Sequence, residues 1–203
     1  MHLGHAGVHP GSERIDLPAD SCMICSADTR SVKEQPEGRH RMKTIIHDLG
    51  KEQNERLLAA ADQVVCADGR YAPCQGCFKC WTKHPAACEM KDALYQSCRV
   101  LGLSDDLTII TENCYGGYSP EVKNILDRSI ASSTPFSTYR GRQMHHTLRY
   151  GKRGRIHVIV YGDISEAEKG TLKLMVERNA VNMGFREHQL SFCGNAEQAG
   201  GMA

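Results

Sequence analysis

From Lys43 onward, short β-branched apolar runs alternate with segments that carry apolar residues at helical spacing, and this alternation constrains the fold more than any other feature. The strand candidates are Lys43-Thr-Ile-Ile-His-Asp48, Gln63-Val-Val-Cys66-Ala, Leu107-Thr-Ile-Ile-Thr111, Ile156-His-Val-Ile-Val-Tyr161-Gly162 and a last run of roughly Phe185 to Phe192. Between them, Leu57, Leu58 and Ala61 predict a first helix. Ala93, Leu94, Cys98 and Leu101 predict a second over Lys91 to Leu101, with Gly102 as its C-cap and Cys98 as a small buried hydrophobe. A third is well signalled: Ser119 caps it, Pro120 fits its first turn, and Val122, Ile125, Leu126 and Ile130 form its apolar stripe. A fourth opens with the capping box Ser165 to Glu168, follows Leu172, Met175, Val176, Ala180 and Met183, and stops at Gly184. Short apolar strands separated by helices predict an α/β domain, a doubly wound five-stranded parallel sheet with helices on both faces.

The domain is expected over residues 42–193. Residues 1–41 are polar and Gly/Pro-punctuated, with no period that would bury a face, so they read as a disordered extension or as a leader before a natural start at Met42. His2, His5, His9 and the pair Cys22 and Cys25 within it are potential metal or redox residues. Residues 194–203 read as a small polar tail. Between Ala131 and Arg155 periodicity is lost, and a loop of that length is usually functional or interfacial; His145 and His146 within it read as surface or interface residues rather than ligands.

Lys plus Arg number 25 against 24 Asp plus Glu, which leaves no basic surplus for nucleic acid or an anionic membrane. No apolar run approaches the roughly 20 residues of a membrane helix. Ten cysteines in a chain of this size, without a secretion signal, indicate a cytoplasmic protein with reduced or metal-bound thiols rather than a disulfide scaffold.

Four of those cysteines, Cys74, Cys77, Cys80 and Cys88, fall within one short stretch. Three recur at every third position and the fourth follows a Pro-containing spacer, so four thiolates can converge without help from distant chain. Such a set suits an iron–sulfur cluster, a structural zinc, or redox-active thiols; free thiols in a reducing cell are the plain alternative.

In an open parallel sheet, ligands sit outside the carboxyl ends of the strands. The exits here are Asp48 to Asn54, Asn113 to Tyr118, and Tyr161 to Asp163, and the cysteine stretch is expected at the same edge. At the second exit, Tyr115-Gly-Gly-Tyr118 suits a flat aromatic ligand: glycines permit close backbone approach and tyrosines cover a ring face. At the first, the loop from strand to helix could offer amides to an anion, although Asp48 and Glu52 would repel a phosphate.

The segments Pro73-Cys-x-Gly-Cys-Phe-x-Cys-Trp-x-Lys-x-Pro-x-x-Cys88 and Cys114-Tyr-Gly-Gly-Tyr-Ser-Pro-x-Val-Lys-Asn-x-Leu-Asp-Arg128 resemble the flavodoxin-like NAD(P)H-dependent FMN oxidoreductases, and most closely their cysteine-rich, iron–sulfur flavoprotein branch. The resemblance spans Met42 to about Phe192. It implies a flavodoxin-like fold, FMN at the strand exits, a nicotinamide or ferredoxin as electron donor, and a homodimer or homotetramer in which a neighbour's loop helps enclose the flavin. It also implies that Cys74, Cys77, Cys80 and Cys88 ligate a [4Fe–4S] cluster. Tyr115, Gly116, Gly117, Tyr118, Tyr161 and Gly162 would border the flavin ring. In place of the family's Gly-Ser-Pro-Arg-like phosphate grip stands His47-Asp-Leu-Gly-Lys51, with Gly50, Lys51 and Asn54 as the remaining phosphate partners. No side chain is expected to act as acid or base, since the flavin does the chemistry. The alternative is a flavin-free scaffold with a four-cysteine zinc site or a thiol-based redox sensor.

Overall fold

A computed structural model describes residues 40–151 and 153–203. The five expected strands form one parallel sheet: β1 (Lys43–His47), β2 (Gln63–Cys66), β3 (Asp106–Glu112), β6 (Arg153–Tyr161) and β7 (Phe185–Cys193), in the order β2-β1-β3-β6-β7. Two further strands, β4 (Ser133–Arg140) and β5 (Gln143–Leu148), pair with each other outside it. Ile45 and Ile46 pair in register with Thr108 and Ile109 of β3, and Ile109 pairs with Val158 of β6. Strands in this central position are covered on both faces, which is why β1, β3 and β6 are apolar at consecutive positions instead of alternating.

The two faces are covered unequally. Ile46, Ile109, Val158 and Val160 meet Leu101 of α3 (Ser97–Leu103), Val122 and Ile125 of α4 (Pro120–Asp127), and Leu172, Val176 and Ala180 of α5 (Glu166–Met183). On the opposite face, Ile45, Val64, Ile110 and Ile159 are covered by Leu57 of the short α1 (Asn54–Leu58) and Ala199 of α6 (Ala196–Gly201). The single turn α2 (Lys79–Thr82), within the cysteine stretch, has no buried residue and covers neither face. The last ten residues, expected as a tail, carry a helix capped by Asn195 whose Ala199 is fully buried. Among the described residues no helix is long and apolar enough to cross a membrane.

Local signals hold best where capping chemistry and periodicity agree. Ser119 accepts from the Val122 amide with Pro120 behind it, the Ser165 and Glu168 capping box is closed in both directions, and Gly184 ends α5 in left-handed conformation at φ 82°. Ser119→Ala is expected to cost about 1 kcal/mol, read as a lowered urea midpoint with unchanged slope.

The helix expected over Lys91 to Leu101 is confined to α3, because Asp92 is held in a turn by Arg128 and by the Leu94 amide. Gly102 lies inside α3 rather than beyond it, and the Tyr150 ring packs so closely on it that a Cβ would collide. The expected loop between Ala131 and Arg155 is largely the β4–β5 hairpin, turned at Gly141 with φ 60°. Most of its positions are exposed, so it lacks the buried alternation by which a strand is recognised. Residues His2, His5, His9, Cys22 and Cys25 lie outside the described residues.

Candidate functional site

The strand order reverses between β1 and β3, which makes their exits the switch point of the sheet. A carboxylate spans it. Asp48, the first residue beyond β1, accepts from the Glu112 amide at the end of β3 at 2.9 Å, and its other oxygen accepts from the Tyr161 hydroxyl at the end of β6 at 3.0 Å. Burial and the adjoining Asp48 charge push the Tyr161 phenol up, so it remains a donor. Three exits are thus tied through one side chain, a junction without a local sequence signal because Asp48, Glu112 and Tyr161 are distant in the chain.

His47 ends β1 in full burial. The Leu49 amide donates to its Nδ1 at 3.3 Å and Nε2 lies 2.8 Å from the Asn54 amide oxygen, a pattern that needs the neutral ring with its proton on Nε2. Burial lowers its pKa, against the opposing influence of Asn54, Asp48 and Glu52; burial also lowers that of His157. Both rings therefore bind a proton more readily when the chain is unfolded. Stability is expected to be full above the ordinary histidine value of 6.5 and to fall as pH drops below it, and His47→Gln should flatten that slope in urea unfolding series run across the range.

At the β3 exit, Cys114 and Gly117 exchange backbone hydrogen bonds in a tight turn, and the Gly116 amide donates to Asn113 Oδ1 at 3.1 Å. These amides are used by the turn itself. Tyr115 stands at its tip, 94% exposed and in left-handed backbone at φ 51°, a conformation that costs a non-glycine residue on the order of 1–3 kcal/mol. Gly116 adopts φ 76° against the backbone of Glu168, where a side chain would press on α5. Tyr118, expected at a ring, instead packs in the core, where its hydroxyl accepts from Asn179 Nδ2 at 3.1 Å. Gly162 adopts φ 95° beside Glu112 at the β6 exit.

The first loop is engaged from within. Lys51 Nζ lies 3.2 Å from Asp68 Oδ2, Asn54 is bonded to His47, and the Glu52 carboxylate folds back over Gly50 so closely that a Cβ there would collide with it. With Asp48 alongside, this loop presents two carboxylates where the resemblance puts the phosphate of FMN.

The cysteines are spread along a segment that leaves the exit edge. Cys74 and Cys77 are exposed, Cys80 meets Cys98 of α3, and Cys88 meets the Arg128 guanidinium. The hydrogen bond from Cys98 draws the Cys80 thiol down to about 7, while the contact with Cys80 and burial push Cys98 up. Among the described residues no three His, Cys, Asp or Glu side chains gather as a metal site. Arg128 follows the C-terminal end of α4, whereas the Tyr115 turn leads into its N-terminal end; eight helical residues separate the two by about 12 Å. Cys80 and Cys88 are therefore not beside the Tyr115 turn, as the sequence led us to expect. The segment is held there by Trp81 of α2, whose Nε1 donates to the Ser133 carbonyl at 3.1 Å and whose ring lies against Phe78 and His146.

Arg128 is the residue sequence reasoning missed. Its side chain is fully buried, makes two 2.6 Å hydrogen bonds to Asp92, and donates to the carbonyls of Ala72 and Met90. Burial opposes the Asp92 charge, yet the bonds from Arg128 and the Ala72 amide outweigh it and hold the carboxyl below its usual range. A basic residue closing an apolar helical stripe was the available signal.

Two solved structures share this architecture. An NAD(P)H:quinone oxidoreductase from Methanothermobacter marburgensis superposes with a TM-score of 0.51 at 13% identity, covering 80% of this chain and 95% of its own. A Klebsiella pneumoniae protein described as a quinone reductase superposes at 0.50 and 12% identity, covering 79% and 80%. The fold is flavodoxin-like. No family model matches the sequence, and no curated protein does. At such identities the likeness fixes the flavodoxin-like fold and the place of the exits, and nothing about the side chains there.

Proposed function

We propose that the protein is a flavodoxin-like oxidoreductase that binds a flavin ring at the strand exits and takes electrons from a nicotinamide. The observation that carries this reading is Tyr115, an almost fully exposed aromatic side chain held in costly backbone at the exit of the central strand. The tight Cys114 to Gly117 turn sets this backbone and holds the ring out at the exit, and strained positions concentrate at binding sites. The names of the two fold neighbours, a nicotinamide-dependent quinone oxidoreductase and a quinone reductase, support the reaction class.

A flavin accepts hydride without a protein acid or base. The contribution of this chain is positional. Tyr115 offers a ring face, Gly116 lets its turn pack closely on Glu168 of α5, and Asp48 locks the three exits into one rigid edge through Glu112 and Tyr161. The reading does not include a [4Fe–4S] cluster, because Cys80 is turned to Cys98 and Cys88 to Arg128. Exposed Phe136, Tyr139 and Met144 on the β4–β5 hairpin support a homo-oligomer, to be checked by sedimentation.

The test is anaerobic addition of NADH or NADPH to flavin-loaded protein, followed by a quinone. Bleaching of the flavin band and its return with quinone supports the assignment; a flavin band untouched by both nucleotides contradicts it.

A further inference from the structure

We propose that the strand-exit site takes a flavin lacking its phosphate, riboflavin rather than FMN, because the Glu52 carboxylate stands where the phosphate would be received. The inference rests on the flavin reading above and concerns the first loop alone. In an open parallel sheet the phosphate of a bound nucleotide lies where the first strand turns into its helix, against free amides and a helix dipole. Here that turn begins at Gly50, in extended backbone at φ 99° that favours glycine, and Glu52 curls its carboxylate onto this residue. A dianion arriving there would meet that carboxylate first.

The surroundings strengthen the exclusion. Asp48 fixes a second carboxylate at the switch point through two hydrogen bonds, and it cannot swing away without giving up both. Both acids act on the charge of the buried His47 ring, which places them around one residue. Lys51, the loop's only cation, is engaged by Asp68. Asn54 is committed to His47, and α1, with five residues, offers little dipole. The isoalloxazine and its ribityl chain carry no charge that these acids would repel. A loop built this way separates flavins by their phosphate and leaves the ring site at Tyr115 unaffected.

Fluorescence-quenching titrations of the full chain with riboflavin and with FMN provide the test, repeated on Glu52→Gln. The wild-type chain is expected to bind riboflavin about tenfold more tightly than FMN. Glu52→Gln is expected to raise FMN affinity about tenfold, equal to ~1.4 kcal/mol, and to leave riboflavin within about twofold. FMN binding as tightly as riboflavin, or tighter, in the wild-type chain overturns the exclusion and leaves the flavin reading standing. A riboflavin preference that Glu52→Gln does not reduce removes Glu52 as its cause. Failure of both flavins to bind overturns the proposal together with the reading beneath it.

Discussion

Arg128→Met lowers the stability of the folded chain by about 3–5 kcal/mol, the cost of breaking a buried ion pair from one side. The guanidinium is inaccessible to solvent and Asp92 is 24% exposed, so the abandoned carboxylate is only partly rehydrated. Three further groups lose a donor or partner at once: the carbonyls of Ala72 and Met90, and the Cys88 thiol. The cysteine segment is then expected to detach from α3 and α4 before the sheet unfolds. Urea denaturation followed by far-ultraviolet circular dichroism gives the magnitude, and alkylation of Cys80 in native buffer gives the local release. Restoring a matched apolar pair with Arg128→Met and Asp92→Leu together should recover much of the loss, since the penalty lies in the orphaned charge.

Ile109→Ala is expected to cost about 2–5 kcal/mol, and Ile110→Ala less. Both side chains are fully buried in β3, on opposite faces. Ile109 faces the side packed by α3, α4 and α5, where three helices hold the cavity open. Ile110 faces α1 and α6, short helices that can settle into the space. The cost of a large-to-small change rises with the cavity that remains, so the two faces should separate in denaturant midpoints. Equal costs would mean that α1 and α6 are held as rigidly as the longer helices.

Much of the fold was legible because its signals are local. Five β-branched runs, the Ser119 cap and the Ser165 to Glu168 box each declare an element within a few residues, and parallel order follows once strands alternate with helices. The hairpin and α6 were not legible, since an exposed hairpin lacks alternation and α6 is stabilised by burying Ala199 against a distant face. The site was half legible. The position of the exits follows from the sheet, and the unsuitability of Asp48 and Glu52 for phosphate follows from charge. That Asp48 ties three strands together, that Tyr118 turns inward, and that Cys80 seeks Cys98 depend on residues brought together only by folding.

The central claim is that a flavin ring lies against Tyr115. Riboflavin fluorescence titrated with wild-type chain and with Tyr115→Ala tests it most directly. Loss of a stacking tyrosine is expected to weaken binding about tenfold, on the scale of ~1.4 kcal/mol, with the unfolding midpoint unchanged, since alanine keeps the Cβ that the left-handed backbone at position 115 strains. Quenching by the wild-type chain that persists at the same affinity in Tyr115→Ala, or no quenching by the wild-type chain, would contradict the account.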